Sequence, residues 1–110
     1  APFIAVAVRD IEPMKVWYQR LFGLAVLREG AFEARGVRFA LLGKGPVLIE
    51  LIEKAATTPL SAVDRQRREA AEIAGFFKAG VVVPDLDRHY AEVVAAGFPL
   101  AFELSQPPGG

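Results

Sequence analysis

The chain of 110 residues has no cysteine and a single histidine. Without cysteine there are no disulfides, no thiolate metal sites and no thiol nucleophile. The lone histidine, His89, falls in the first turns of a helical stretch; it lends no support to a Ser/His/Asp arrangement and reads as an ordinary helix-surface or interface residue. Net charge is missing as well, because 13 basic and 13 acidic side chains cancel, whereas nucleic-acid binding leaves a basic footprint. No apolar run approaches the length of a membrane span, and no signal-peptide pattern is visible. These absences predict a soluble, cytoplasmic protein with neither nucleic acid nor membrane as partner.

Apolar residues, by contrast, are plentiful: 53% of the chain is hydrophobic and the mean hydropathy is +0.30. A small chain this rich in apolar side chains needs more burial than its own interior provides, which predicts an apolar pocket, a subunit interface in a homodimer, or both.

The most informative pattern is an internal repeat. Val6-Ala7-Val8-Arg9-Asp10-Ile11-Glu12 reappears as Val81-Val82-Val83-Pro84-Asp85-Leu86-Asp87. Each copy is an apolar run closed by an Asp, then an apolar residue and a second acid, and each leads through a helical stretch to a glycine, Gly23 or Gly97. A repeat of this length is one supersecondary unit used twice.

Within the first copy, Phe3 to Val8 reads as a buried strand. Asp10 is a good N-cap, with Glu12 and Pro13 suited to a first helical turn. Met14, Val16, Trp17 and Leu21 keep helical spacing until Gly23 stops it; Trp17, Tyr18 and Phe22 are expected to pack in the core. Leu24 to Leu27 begins a strand that Phe32 to Arg35 extends. Val37 to Leu42 and Val47 to Ile52 form a hairpin across Gly43-Lys44-Gly45-Pro46. That glycine-lysine turn lacks the following helix a phosphate loop requires. The copy is therefore βαβββ.

Residues 54–75 read as a helical linker, with Thr58 as N-cap and a modest apolar face of Leu60, Val63, Ala70, Ala71 and Ile73. Its Arg65, Arg67 and Arg68 are interleaved with acids and suit a solvated face. The second copy predicts a strand Phe76 to Val83, a helix Asp85 to Ala96 and a strand Pro99 to Leu104, then stops short of the strands that close the first copy. A further C-terminal segment or a partner chain is expected to complete it, since open sheet edges invite aggregation.

Two βαβββ modules of this wording resemble the vicinal oxygen chelate superfamily of glyoxalases, bleomycin-resistance proteins, epimerases and extradiol dioxygenases. The matching pieces are Phe3-Ile-Ala-Val-Ala-Val-Arg-Asp10, Trp17-Tyr18 with Leu21-Phe22-Gly23-Leu24, Gly45-Pro46-Val-Leu-Ile-Glu50-Leu51 and Ala79-Gly-Val-Val-Val-Pro-Asp85-Leu86. The resemblance implies an α+β fold in one domain, 1–110, whose modules (1–53 and an incomplete 76–110) curve mixed sheets around a cavity. It also implies metal ligands on the cavity strands. Of those positions, the first, usually a histidine, is Phe3; the second, a carboxylate, is Glu50; the third, usually a histidine, is Lys78; and the fourth lies on a last strand that this sequence does not contain, so only Glu50 matches a ligand. One carboxylate does not make a divalent-metal site, and Lys78 would repel a cation. No cofactor is therefore expected.

Strand alternation adds a reading independent of family. Phe3, Ala5 and Ala7 share one face, as do Leu48, Glu50 and Ile52, and again Phe76, Lys78, Gly80 and Val82. If the superfamily geometry holds, Phe3, Ala5, Leu48, Glu50, Lys78 and Gly80 face one concave space and are expected to meet a small-molecule ligand there, with Phe39, Phe76 and Phe98 as further candidates for its walls. A carboxylate in an apolar strand wants a counter-charge, and Lys78 is the candidate for Glu50. The expected function is binding of a small, largely apolar molecule without a metal. The alternative is a lyase, isomerase or dioxygenase, either metal-dependent through Glu50 and further ligands or using Glu50 as a metal-free general base.

Overall fold

Helix starts and stops are set by single residues. Asp10 adopts an extended conformation, and its side chain accepts the Glu12 N–H, opening α1, Ile11–Phe22. Gly23, at φ 67°, closes it in the left-handed region, which costs glycine nothing. The repeat carries the same instructions: Asp85 accepts the Arg88 N–H at 3.1 Å, and the helix that follows ends ahead of Gly97 at φ 79°.

A computed structural model of the chain describes residues 2–54, 56–72, 74, 79–101 and 103–104. It forms two compact units, Ala1–Ala79 and Gly80–Gly110. In the first unit, β1 (Ile4–Val8) is followed by α1 and by three strands, β2 (Ala25–Phe32), β3 (Val37–Lys44) and β4 (Val47–Lys54). The strands make one mixed sheet in the order β1-β4-β3-β2. β1 runs parallel to β4, and the β2–β3 and β3–β4 pairs are antiparallel. This is the expected βαβββ module. β3 and β4 each run two residues beyond their expected stretches, to Lys44 and Lys54, whereas β1 begins at Ile4 instead of Phe3. Glu33–Arg35, expected as strand, form a 3-10 turn instead.

One face of the sheet is covered by α1. There Val8, Leu24, Ala40, Leu42, Ile49 and Leu51 meet Ile11 and Tyr18 in a single buried cluster. Ile11, Leu42 and Leu51 are fully buried. Trp17, Met14 and Phe22 pack against this cluster, with the Trp17 and Tyr18 rings edge to face at 4.8 Å. The expected core role of the helix aromatics is thereby met. Burying each large aliphatic side chain contributes about 1.5–3 kcal/mol, which holds the helix against the sheet.

After β4 comes α2, Ala62–Glu69, in which no residue is buried. Its N-cap is Ser61, not Thr58: the hydroxyl accepts the Asp64 N–H at 3.1 Å and donates to the Asp64 carboxylate at 2.9 Å. This reciprocal cap outcompetes a lone threonine ahead of a proline. Of the apolar face anticipated for the segment, Leu60, Val63, Ala70 and Ala71 are exposed, Val63 by 65%, and Ile73 lies outside the described residues.

The second unit contains α3, Leu86–Ala95. Ala79–Val83 and Pro99–Ala101, expected in strands, carry no regular structure, and Phe76–Lys78 lie outside the described residues. An apolar run becomes a strand only where another strand takes its N–H and C=O groups. Among the described residues of this unit there is none. No helix among the described residues is long and apolar enough to cross a membrane.

Candidate functional site

The face of the sheet turned away from α1 is apolar, its residues half-buried or exposed. Cross-strand register fixes its membership. Ala5 stands opposite Glu50 and Ala7 opposite Ile52; Glu50 in turn stands opposite Leu41, and Ile52 opposite Phe39. The face thus carries successive rows, one of Arg28, Leu41, Glu50 and Ala5, and the next of Gly30, Phe39, Ile52 and Ala7. Phe32 and Val37 extend it by one more pair.

Arg28 reaches this face through an irregularity. Val26 pairs with Leu42 but Arg28 with Leu41, so β2 has one extra residue, Leu27, at that point. A bulge of this kind reverses which face later residues address. Leu24 and Val26 lie against the helix-side core, whereas Arg28 and Phe32, at the same spacing, line the open face. The reversal also sends Glu29 toward α1, where its carboxylate accepts from Lys15 Nζ at 2.8 Å. Uniform alternation along β2 would have placed Arg28 under the helix, and for that reason sequence reading missed it.

A groove of about 320 Å³ runs over this face. β2 contributes Arg28 and Phe32, β3 contributes Val37, Phe39 and Leu41, and β4 contributes Glu50 and Ile52. Phe32 and Phe39 stack with ring centroids 5.5 Å apart and planes at 28°. Gly30 sits beneath the Phe39 ring: a Cβ there would lie 3.2 Å from two ring carbons. The glycine lets the ring lie down on its neighbouring strand.

Two charges of opposite sign flank Leu41, Arg28 on β2 and Glu50 on β4. Among the described residues neither makes an ion pair or a side-chain hydrogen bond. Of the residues expected here, Ala5, Leu48 and Glu50 share the face, and Phe3 immediately precedes β1 with 58% of its surface exposed. Phe39 walls the groove, Phe76 and Lys78 lie outside the described residues, and Gly80 and Phe98 belong to the second unit. His89 is half-buried on α3, its N–H bonded to the Asp85 carbonyl as the helix requires.

The fold implies a metal, and the donors near Glu50 can be tested for it. Its neighbours on the face are Ala5, Leu41 and Ile52, which bring no donor atom, and the nearest charge in its row is a cation. Among the described residues no three His, Asp or Glu side chains gather to hold a metal ion. This donor set does not fit a divalent cation, which needs three or four ligands.

A second group of charges lies on the helix side, in a network that joins α1 to the sheet. Glu53 Oε2 accepts the Ile11 N–H at 2.7 Å, tying the first turn of α1 to β4. Arg38 donates to Glu12 at 2.7 Å and stands 3.9 Å from Glu53, and Lys15 bridges Glu12 at 3.0 Å and Glu29. The Arg38 hydrogen bond, then that from Lys15, holds the Glu12 carboxyl below its ordinary value. Glu29 and Glu12 raise the Lys15 ammonium. Burial alone raises the Tyr18 phenol. Each anion in this network already has its cation, so the network acts as a clamp between α1 and the sheet.

Comparison with known proteins fits this architecture. The sequence profile of the Glyoxalase/Bleomycin resistance protein/Dioxygenase superfamily matches residues 3–109. The chain belongs to this superfamily. Among solved structures, the protein SMU.1112c superimposes on 88% of the chain and 74% of its own length, with a TM-score of 0.57 at 20% identity. At that identity the likeness establishes the superfamily fold alone. Hypothetical protein BH1468 from Bacillus halodurans C-125 is 26% identical over 51% of this chain, which spans 41% of that protein's length, with a TM-score of 0.45. Methylmalonyl-CoA epimerase from Mycobacterium tuberculosis is 20% identical over 97% of this chain and 71% of its own, with a TM-score of 0.44. Neither of the last two likenesses carries an argument about the groove. No curated protein matches the chain.

Proposed function

We propose that this member of the superfamily binds a small, largely apolar molecule on the open face of its sheet, without a metal. The observation that carries the reading is the groove itself. Its walls are aromatic and aliphatic, its volume of about 320 Å³ suits a small ligand, and its polar groups are few and placed at one end. Ligand sites have this composition, mostly apolar with a few oriented polar groups. The family's metal position is represented by Glu50 alone, with Phe3 where an imidazole would stand, which favours binding over metal-assisted catalysis. Pairing of two chains is part of the proposal. Phe3, Leu27 and Phe32 are each more than half exposed, apolar surface that a second copy of the chain would cover.

The test is a titration of the isotope-labelled protein with indole, followed by amide chemical shifts. Shifts concentrated at Phe32, Phe39, Leu41 and Ile52 support the reading; shifts confined to α1 or α2, or none, sink it. Metal analysis of freshly purified protein is the second arm. Near-stoichiometric zinc, iron, manganese or nickel would establish the metal-dependent alternative.

A further inference from the structure

We propose that the groove selects a planar aromatic carboxylate, with the ring lying along Phe39 and Phe32 and the carboxylate on Arg28. This rests on the binding reading above and names the class of molecule. The residues divide the groove by chemistry. The row of Gly30, Phe39 and Ile52 and the pair Phe32 and Val37 hold no charge. The adjoining row begins with Arg28 and carries Glu50 two strands away.

Arg28 is placed there by the β-bulge after Val26, a device that re-aims a side chain toward a site. A guanidinium beside an apolar wall offers its planar array of donors to a planar anion, and a carboxylate takes two of them in parallel. Among the described residues no protein carboxylate takes those donors. The aromatic half follows from the wall: Phe32 and Phe39 are stacked, and Gly30 lets the Phe39 ring lie flat on the sheet. A flat ligand ring extends such a stack at centroid distances of about 4.5–7 Å.

Glu50 sets the charge and polarity of the rest. It lies in the same row as Arg28, with two interstrand spacings, roughly 10 Å, between their backbones. A dianionic phosphate at Arg28 would feel that carboxylate within about one screening length; a singly charged carboxylate feels it half as strongly. The same geometry favours an N–H or O–H on the edge of the ligand ring nearest β4, where Glu50 can accept it.

The experiment compares indole with indole-3-acetate on the full chain, wild type and Arg28→Gln, by the same amide-shift titration. Arg28 is exposed, so its replacement leaves the fold in place. The expected result is that indole-3-acetate binds the groove roughly fivefold tighter than indole in the wild type, as a solvated ion pair allows. The advantage disappears in Arg28→Gln and shrinks in high salt, while indole binds both proteins alike. If indole shifts the groove but the carboxylate gives no advantage, or if the advantage survives Arg28→Gln, the inference falls and the binding reading stands. If neither compound shifts the groove, both fall together.

Discussion

Glu50 and Arg28 lie in one cross-strand row with Leu41 between them, yet no ion pair or side-chain hydrogen bond engages either among the described residues. A half-buried carboxylate among Leu41, Ile52 and Ala5 finds no partner among the described residues, so it gains nothing for stability from them. Glu50→Leu is therefore expected to leave stability unchanged or raise it by about 0.5–1 kcal/mol, measured as a higher urea midpoint. A loss of more than this amount would mean that Glu50 has a structural partner.

Much of this arrangement was legible in the sequence, because it depends on local rules. The alternation that groups Ala5 and Ala7, and Leu48, Glu50 and Ile52, reappears in the pairing of β1 with β4. Asp10 and Asp85 cap their helices as the repeat suggests. What escaped reading depends on distant or irregular partners. The bulge at Leu27 reverses the facing of Arg28 and Phe32, and nothing in the composition of β2 announces it. Glu53 finds its partner 42 positions away at Ile11. The strand-like runs of the second copy were read from their apolar content, but a strand also requires a pairing edge, which composition cannot supply.

Glu53, three residues beyond Glu50, is expected to behave in the opposite way. Its carboxylate accepts the N–H of Ile11, a residue 1% exposed, and stands beside Arg38. Removing it leaves a first-turn amide without its acceptor where water has little access. Glu53→Ala should cost roughly 1–3 kcal/mol, in the range for orphaned buried donors, and Glu53→Gln should recover part of the loss. Urea unfolding of the pair decides this: equal midpoints for wild type and Glu53→Ala would show that α1 does not depend on the bond.

Gly30 offers a test of the aromatic wall that leaves its rings intact. A methyl group at this position meets the Phe39 ring at 3.2 Å, so the ring must lift by a few tenths of an ångström and its stacking on Phe32 must change. The backbone gains in strand propensity, by about 0.5–1 kcal/mol, and offsets the strain. Gly30→Ala is thus expected to keep its unfolding midpoint close to wild type while indole binding weakens severalfold. Unchanged indole affinity would show that ring position does not shape the groove.

The charged clamp between α1 and the sheet makes stability depend on pH with a definite sign. Glu12 has its carboxyl lowered from 4.5 by Arg38 and Lys15, so its pairing contributes fully above the unfolded-state value and is lost as pH falls through the lower folded one. Lys15 is raised from 10.5 by Glu29 and Glu12; its share is complete below that value and fades as pH rises past it. Between these limits the clamp is intact, and acidification from neutrality through the lowered Glu12 range should progressively remove the Glu12 part. The measurement is the difference in urea midpoint between wild type and Glu12→Gln at both ends of that range. The difference should favour wild type at neutral pH and shrink at acid pH, and molar salt should shrink it too, because Glu12 is more than half exposed. A difference that stays constant with pH would assign the effect of the substitution to packing and not to charge.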